Sequence, residues 1–418
     1  MTTTIDDPRQ LPHTVVTRGG LRRRLARPVL AAALRRVPVR VRMPDGTELG
    51  RSRRDDPATA RPEIELVRPD ALFDRIADNP KIGIGEGYTA GDWRVADGTD
   101  LADALLPFAE RVTTAVPPAL RRLRRLVDRR LPRAQRGTPE GARRNIEAHY
   151  DLSNALFAAF LDSTMTYSSA LFDREIPLAD QSLAGAQRRK LDAVLDRAGV
   201  GAGTRVLEIG TGWGSLALRA AERGATVTTH TLSVEQAAAA RERFEAAGVA
   251  DRVDVRVEDY RSAEGHYDAI VSIEMIEAVG EEFWPVYFET LDRCLAPGGR
   301  VVVQAILMDD DRLVATRDSF GWIQKHIFPG GLIPSLPAID RALGTTSLRV
   351  SEVHAFGPDY AETLRRWRSR FAAAWPHIRD LGFDEAFRRT WEFYLAYCEA
   401  GFAAGYLDVA QIRLERAA

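Results

Sequence analysis

The chain has 418 residues, 58 basic and 59 acidic side chains, and 45% hydrophobic residues. This ordinary globular mixture excludes a wholly disordered chain and suits one large domain or two smaller ones. No apolar run reaches the ~20 residues of a membrane-spanning helix, and the acidic N-terminus does not resemble a secretory signal. The two cysteines, Cys294 and Cys398, lack metal-ligand spacing. We therefore expect a cytoplasmic protein without a metal site.

The charges are unevenly distributed along the chain. Residues 1–136 hold 27 basic and 18 acidic side chains, whereas the remainder holds 31 and 41. Segment 121–136 contains eight arginines, and its leucines at helical spacing predict a basic amphipathic helix. Such a helix is either a solvated connector or a surface for anionic lipid headgroups. We predict a basic lipid- or membrane-binding domain at 1–120, an Arg-rich linker helix at 121–140 and a second domain at 141–418.

Three N-terminal segments have distinct patterns. Residues 37–49 alternate in period two and end in a Pro-Asp-Gly turn, which predicts a strand and a hairpin. The segment Asp70–Asp78 predicts a short amphipathic helix. Four glycines within residues 83–91 favour a tight turn between packed elements rather than a helix. Together these patterns predict a small α+β domain.

From Gly201 onward, short apolar segments alternate with helical ones. This alternation is typical of an α/β protein with a doubly wound, Rossmann-like sheet. The predicted strands are Thr204–Ile209, Thr226–Thr231, Arg252–Val257, Tyr267–Ile273 and Arg300–Ile306, and the predicted helices are Ser215–Glu222, Ser233–Ala247 and Glu281–Cys294.

A glycine-rich loop, EIGTGWG at Glu208–Gly214, ends the first of these strands. Glycines there let the backbone approach a nucleotide where the next helix begins. The spacing is not the GxGxxG of dinucleotide-binding proteins, and Thr231–Ser233 stands where those proteins end the second strand with an acid. The acids Glu208, Glu258 and Asp259 favour S-adenosylmethionine over a nicotinamide cofactor, which stays the alternative.

Other motifs flank the loop in a definite order. They are HYDLSN from His149, MTYSSA from Met165, SIEMIEAVG from Ser272, FPGG from Phe328 and FGPDY from Phe356. Together they resemble the cyclopropane fatty-acyl-phospholipid synthase family, bacterial enzymes that methylate the double bond of acyl chains. The resemblance runs from about Asn145 to the C-terminus and, more weakly, includes Gly83–Trp93.

The resemblance implies a class I methyltransferase fold with S-adenosylmethionine as cofactor. Residue by residue, it implies that the cofactor is bound by Tyr167, Ser168, Glu208, Gly210, Gly212, Trp213, Gly214, Thr231, Leu232, Ser233, Gln236, Glu258 and Asp259. Simpler roles stay open, because Tyr167 could be a packing aromatic and Glu258 a solvated acid in a turn.

The resemblance also implies a site for the proton acceptor. In the family a bicarbonate ion is held by a cysteine, a glutamate, a histidine, an isoleucine and a tyrosine. Glu277, Ile306 and Tyr360 match this pattern, but Ser169 replaces the cysteine and Gln304 replaces the histidine. An amide cannot carry the positive charge that favours an anion, which argues against bicarbonate here. We therefore expect the proton acceptor to be Glu277, or an anion or water held by Glu277 and Tyr360.

These departures favour a methylene product over a cyclopropane ring. A longer-lived cation undergoes a 1,2-hydride shift, and loss of a methyl proton then leaves an exocyclic methylene group. Similarity to actinobacterial relatives implies a 10-methylene stearoyl product, which a separate flavin- or NADPH-dependent reductase converts to a 10-methyl chain. A cyclopropane synthase is the alternative product class, and a catalytically silent lipid- and cofactor-binding module is the alternative of another kind.

The expected partners follow from the same reasoning. The substrate is an unsaturated membrane phospholipid, and the basic N-terminal domain predicts peripheral binding to the anionic inner face of the cell membrane. The resemblance implies a homodimer. Nucleic acid is not an expected partner, because no base-flipping motif of the Asn/Asp-Pro-Pro-Tyr type is present.

Overall fold

The computed structural model describes residues 30–49, 61–111 and 153–417 together with the isolated positions 28, 132, 138 and 141. Apart from those positions, the predicted linker helix at 121–140 lies outside the described residues, as does His149. Within the described ranges, no helix is long and apolar enough to cross a membrane.

The chain divides into two compact units. The first comprises Met1–Leu131, Asp318–Ile327 and Phe371–Tyr406, and the second comprises Pro132–Arg317, Phe328–Arg370 and Leu407–Ala418. This division differs from a simple split into 1–120 and 141–418, because two segments late in the chain belong to the N-terminal unit. The predicted boundaries near residues 120 and 140 stay a prediction, since they fall among residues that are not described.

The elements follow in chain order. The strands are β1 (Arg40–Arg42), β2 (Glu63–Leu66), β3 (Trp93–Val95), β4 (Arg205–Ile209), β5 (Thr226–Thr231), β6 (Val253–Val257), β7 (Tyr267–Ile273), β8 (Leu295–Leu307), β9 (Leu348–Ala355) and β10 (Asp408–Arg416). The α-helices are α1 (Pro69–Asp78), α2 (Pro80–Ala90), α3 (Leu101–Arg111), α4 (Asn154–Phe160), α5 (Leu183–Ala198), α6 (Ser215–Glu222), α7 (Val234–Ala246), α8 (Ile276–Val279), α9 (Trp284–Cys294), α10 (Asp310–Thr316), α11 (Trp322–His326), α12 (Leu336–Leu343), α13 (Gly357–Asp380) and α14 (Glu385–Ala403).

The first unit contains a three-stranded sheet in the order β1-β2-β3. Strand β1 pairs with β2 in parallel, and β2 pairs with β3 in antiparallel fashion. The predicted hairpin is present as a turn closed by a single pair of residues. Gly46 donates its N–H to the Met43 carbonyl, and the backbones of Arg42 and Glu48 form an isolated antiparallel β-bridge. The predicted amphipathic helix is α1.

The glycine-dense segment is a helix, so the predicted turn is wrong. Helix α2 begins at Pro80 and its side-chain cap is Asn79, which accepts from the Lys81 N–H. A Cβ atom at Gly83 would lie 2.4 Å from the Arg75 carbonyl carbon, and one at Gly87 would lie 2.6 Å from the Leu72 side chain. The glycines therefore permit close packing of α2 against α1, which outweighs their poor helix propensity.

The second unit is built on a seven-stranded sheet in the order β6-β5-β4-β7-β8-β10-β9. Strands β4 to β8 pair in parallel, and β10 runs antiparallel between β8 and β9. The five predicted strands are confirmed within a few residues, whereas β9 and β10 were not anticipated. Buried apolar clusters cover both faces of the sheet. The carboxyl ends of the parallel strands meet at one edge, where α/β sheets bind ligands.

Candidate functional site

A cleft opens at the carboxyl ends of β4, β5 and β6. Three of the predicted cofactor-binding residues lie outside its lining. A Cβ atom at Gly214 would lie 2.6 Å from the Phe244 ring, Ser233 caps α7, and Asp259 accepts from the Arg261 N–H. Ten predicted cofactor-binding residues line it, namely Tyr167, Ser168, Glu208, Gly210, Gly212, Trp213, Thr231, Leu232, Gln236 and Glu258.

The glycine loop turns sharply between β4 and α6. The N–H groups of Gly210 and Thr211 both donate to the His230 carbonyl, at 2.9 and 3.1 Å, which ties the loop to β5. Gly212 has a φ of 51°, and a Cβ atom there would meet nothing within 4 Å. The backbone at Gly212 therefore faces open space in the cleft, the arrangement that close approach of a ligand requires.

Glu208 lies at the buried end of β4. Its Oε2 accepts from Thr229 Oγ1 at 2.6 Å, and Thr229 Oγ1 lies 2.7 Å from the Thr211 hydroxyl. Burial raises the pKa of Glu208 to about 8, although the Thr229 bond and the Lys190 charge oppose the shift. Glu208 thus joins the first two parallel strands and lines the cleft.

In the upstream Tyr-Ser pair, helix α5 holds Ser168, and aromatic rings pack against Tyr167. Lys190 donates from Nζ to Ser168 Oγ at 2.7 Å, and Gln187 Nε2 donates to the Ser168 carbonyl at 2.9 Å. The Tyr167 ring packs against Phe157 and Trp367 with centroids 5.1 and 5.2 Å away. Lys190 was missed by the sequence analysis, although it stands on the buried face of an amphipathic helix in a chain with only three lysines.

Glu274 lines the cleft and is the centre of a polar hydrogen-bond network, and it too was missed. Its Oε1 accepts from the Ser169 N–H and from Gln304 Nε2, both at 2.9 Å. Its Oε2 accepts from the Tyr360 hydroxyl at 2.7 Å. Three of the predicted catalytic residues therefore converge on a carboxylate within the SIEMIEAVG motif that the sequence analysis had not singled out.

The backbone of Glu274 is in the left-handed region, with a φ of 51°. A non-glycine residue pays a conformational cost there of about 1–2 kcal/mol. Such strain is usually retained where the side chain has a function.

Glu277 is held separately from Glu274. Its Oε1 accepts from the Ile306 N–H at 2.5 Å, and its buried Oε2 has no hydrogen-bond partner among the described residues. Burial and the nearby charge of Glu274 raise the pKa of Glu277 to about 8. The structure thus brings Ile306 to Glu277, but it brings the Tyr360 hydroxyl to Glu274.

The electrostatic balance at Glu274 is between burial and local donors. Burial raises the pKa of its carboxyl group, whereas the bonds from Ser169, Tyr360 and Gln304 and the charge of Lys190 lower it. A carboxylate enclosed by protein with a raised pKa is a better proton acceptor than one in water. The arrangement can therefore accept a proton beside a cleft shaped for a nucleotide-like ligand.

Comparisons with known proteins identify the family of the chain. The sequence model of the mycolic acid cyclopropane synthetase family matches residues 138–412. The chain is 48% identical over 396 residues to tuberculostearic acid methyltransferase UfaA1 of Mycobacterium tuberculosis, covering 94% of this chain and 91% of that protein. It is 33% identical over 364 residues to the cyclopropane-fatty-acyl-phospholipid synthase of Escherichia coli K12, covering 86% and 89%.

A solved structure supports the same assignment. The mycolic acid cyclopropane synthase CmaA1, crystallised with SAH and CTAB, superposes with a TM-score of 0.60 at 30% identity, covering 66% of this chain and 98% of that one. Family, fold and cleft agree on one cofactor, S-adenosylmethionine. The chain therefore belongs to the mycolic acid cyclopropane synthetase family and is an S-adenosylmethionine-dependent methyltransferase.

Proposed function

We propose that the enzyme methylates the cis double bond of an unsaturated, oleoyl-type acyl chain and releases a methylene-branched chain. The observation that carries this proposal is Glu274, a partly buried carboxylate that lines the cleft and is held by Ser169, Gln304 and Tyr360. The similarity to a tuberculostearic acid methyltransferase, which extends over nearly the whole chain, supports a branched rather than a ring product.

The residues of the cleft fit the cofactor. The open backbone at Gly212 accommodates a ligand, and the His230 ring nitrogens are buried without a hydrogen-bond partner among the described residues. We assign the adenosyl part to the glycine loop, Thr231, Leu232, Gln236 and Glu258, and the methionine end to Tyr167 and Ser168. When bound, S-adenosylmethionine supplies an electrophilic methyl group on a sulfonium.

The residues of the chain then have to stabilise a carbocation that forms on the substrate. The alkene electron pair forms the new carbon–carbon bond to the methyl group, the carbon–sulfur bond breaks, and positive charge appears on the other alkene carbon. Water, which would quench this cation, has to be kept out of the site during the reaction. Its negative carboxylate, Glu274, stabilises the charge electrostatically.

Glu274 completes the reaction as the proton acceptor. After a 1,2-hydride shift places the charge on the methyl-bearing carbon, loss of a methyl proton to Glu274 forms the exocyclic double bond. Tyr360 and Gln304 hold the carboxylate in place during this transfer. In this role Glu274 makes a bicarbonate ion unnecessary, which agrees with the loss of the family's cysteine and histidine at Ser169 and Gln304.

The finer substrate assignment extends this proposal. We infer that the acyl chain is part of a membrane phospholipid, in keeping with the name of the Escherichia coli relative. Peripheral binding through the basic N-terminal region, a homodimer and a separate reductase that saturates the methylene group belong to the same proposal.

The experiment that tests the product is an incubation with S-adenosylmethionine and oleoyl phospholipid vesicles. Product fatty acids are examined by proton NMR, because ring and methylene products have the same mass. Vinylidene protons are expected, and high-field ring protons would show a cyclopropane synthase instead. No added methyl group would favour the silent binding module. Parallel vesicles of anionic and neutral lipid test the membrane assignment, since binding to anionic lipid should weaken with salt.

A further inference from the structure

Lys190 is a buried cation that the chemistry above does not use. Its side chain is fully inaccessible, as are those of Ser169 and Gln304. A lysine is almost never fully buried unless it is paired. Its Nζ donates to Ser168 Oγ at 2.7 Å, and its residue also lines the cofactor cleft.

The bond from Lys190 acts on the turn that holds Glu274. Ser168 is fixed twice from α5, at its hydroxyl by Lys190 and at its carbonyl by Gln187. The next residue, Ser169, points its N–H at Glu274 Oε1, 2.9 Å away. The position of one donor to the carboxylate therefore depends on where α5 holds the preceding residue.

The charge of Lys190 acts on the same carboxylate. Burial lowers the pKa of Lys190 to about 8, and three acids oppose that shift. The charged groups that face Lys190 are Glu274, Asp162 and Glu208. The groups that face Glu274 are Lys190, Tyr360, Gln304 and the Ser169 N–H. Glu277 is near enough to be affected by the charge of Glu274. A cation among these acids favours the ionised form of its neighbours.

We propose that Lys190 is a positioning residue that orients the Ser168–Ser169 turn and keeps the Glu274 carboxylate ionised, and thus able to accept the proton. This inference rests on the proposed function, because it assigns a purpose to the charge state of Glu274. Lys190 itself touches neither the acyl chain nor the proton that is removed. Its effect is therefore expected on the pH dependence of turnover rather than on substrate affinity.

The test compares Lys190→Met with Lys190→Arg in the full-length enzyme at saturating S-adenosylmethionine. Loss of the cation raises the pKa of Glu274, so the acid limb of the kcat profile of Lys190→Met should move up by about one pH unit. Lys190→Arg retains the charge and should keep a limb near that of the wild type. Lys190→Gln, which can donate to Ser168 without a charge, provides a second neutral variant if Lys190→Met does not fold.

A second readout uses no turnover. S-Adenosylhomocysteine affinity, measured by calorimetry, reports the position of Ser168, which belongs to the assigned cofactor site. Lys190→Gln, which can still donate to Ser168, should keep this affinity within about threefold of the wild type while its acid limb moves up. An equal loss of kcat at every pH would overturn the inference and leave Lys190 a structural residue. A large loss of S-adenosylhomocysteine affinity with an unchanged acid limb would also overturn it, by making Lys190 a cofactor ligand. Absence of methyl transfer by the wild-type enzyme would instead contradict the proposed function.

Discussion

The hydroxyl of Tyr360 donates to Oε2 of Glu274 over 2.7 Å, which joins the start of α13 to the loop after β7. The two residues are 86 positions apart in the chain. Because the other carboxylate oxygen is held by Ser169 and Gln304, Glu274 is fixed from three directions. The proposed proton acceptor is thus oriented before any substrate arrives, which reduces the cost of reorganisation during proton transfer.

Truncation at Glu274 should create a site that an external anion can fill. Glu274→Gly removes the carboxylate, and glycine suits the φ of 51° at this position. We expect its methyl-transfer rate to be very low in bicarbonate-free buffer and to recover at least several-fold with added formate or bicarbonate. Glu274→Gln is the matched control, since its amide occupies the same space and should not be rescued. If the added anion restored the rate of both variants, or of neither, the Glu274→Gly enzyme would not have an anion-binding cavity in place of the carboxylate.

The stability of the enzyme should depend on pH through the buried carboxyl group of Glu277. Burial raises the pKa of Glu277 from 4.5 to about 8. The folded protein therefore binds more protons than the unfolded chain between these values, and this contribution to stability is lost as pH rises through that range. Glu277→Gln does not titrate, so its melting temperature relative to wild type should increase from about pH 5 to about pH 8.

The control for that measurement is Glu245→Gln, which alters an exposed glutamate on α7. Its melting temperature relative to wild type should stay constant over the same pH range. A constant difference for Glu277→Gln as well would mean that the Glu277 carboxyl titrates normally in the folded protein.

The glycine loop can be tested with two chemically equal substitutions. Gly212 and Gly203 both have positive φ, 51° and 79°, and a Cβ atom at either would meet nothing within 4 Å. Alanine at each position should therefore cost a similar folding free energy, about 1–2 kcal/mol. Only Gly212 lines the cleft. Gly212→Ala should weaken S-adenosylhomocysteine binding at least tenfold by calorimetry, whereas equal affinities of the two variants would place the cofactor elsewhere.

Much of the second unit could be predicted because its local signals agree with its tertiary structure. Strands β4 and β7 and the second half of β8 are mainly apolar and buried on both faces, and Ser233 caps α7 as its position before the helix suggests. Strand β10 was missed, since its place between β8 and β9 depends on pairing with residues about a hundred positions away. The helix α2 was missed because glycine propensity argues against a helix, while close packing decides for one.

The sequence motifs predicted individual residues of the site but not the contacts between them. Ser169, Gln304 and Tyr360 were identified individually, but their common partner could not be, since a glutamate within SIEMIEAVG carries no local sign of what it contacts. Lys190 was hidden for the same reason, because its partner Ser168 lies on another segment. One signal for Glu274 was available in the sequence. Ser169 and Gln304 replace the family's anion-binding cysteine and histidine, and SIEMIEAVG contains a second glutamate besides Glu277.

The most direct test of the account is the initial rate of methyl transfer by Glu274→Gln and Glu277→Gln, measured side by side on oleoyl phospholipid vesicles. Removing a positioned general base typically costs 10²–10⁴-fold, so Glu274→Gln should lose at least about 100-fold. Glu277→Gln should stay within about tenfold of wild type, since its amide oxygen can still accept from the Ile306 N–H. A Glu274→Gln enzyme with a near-normal rate, beside an inactive Glu277→Gln, would contradict the account and make Glu277 the proton acceptor.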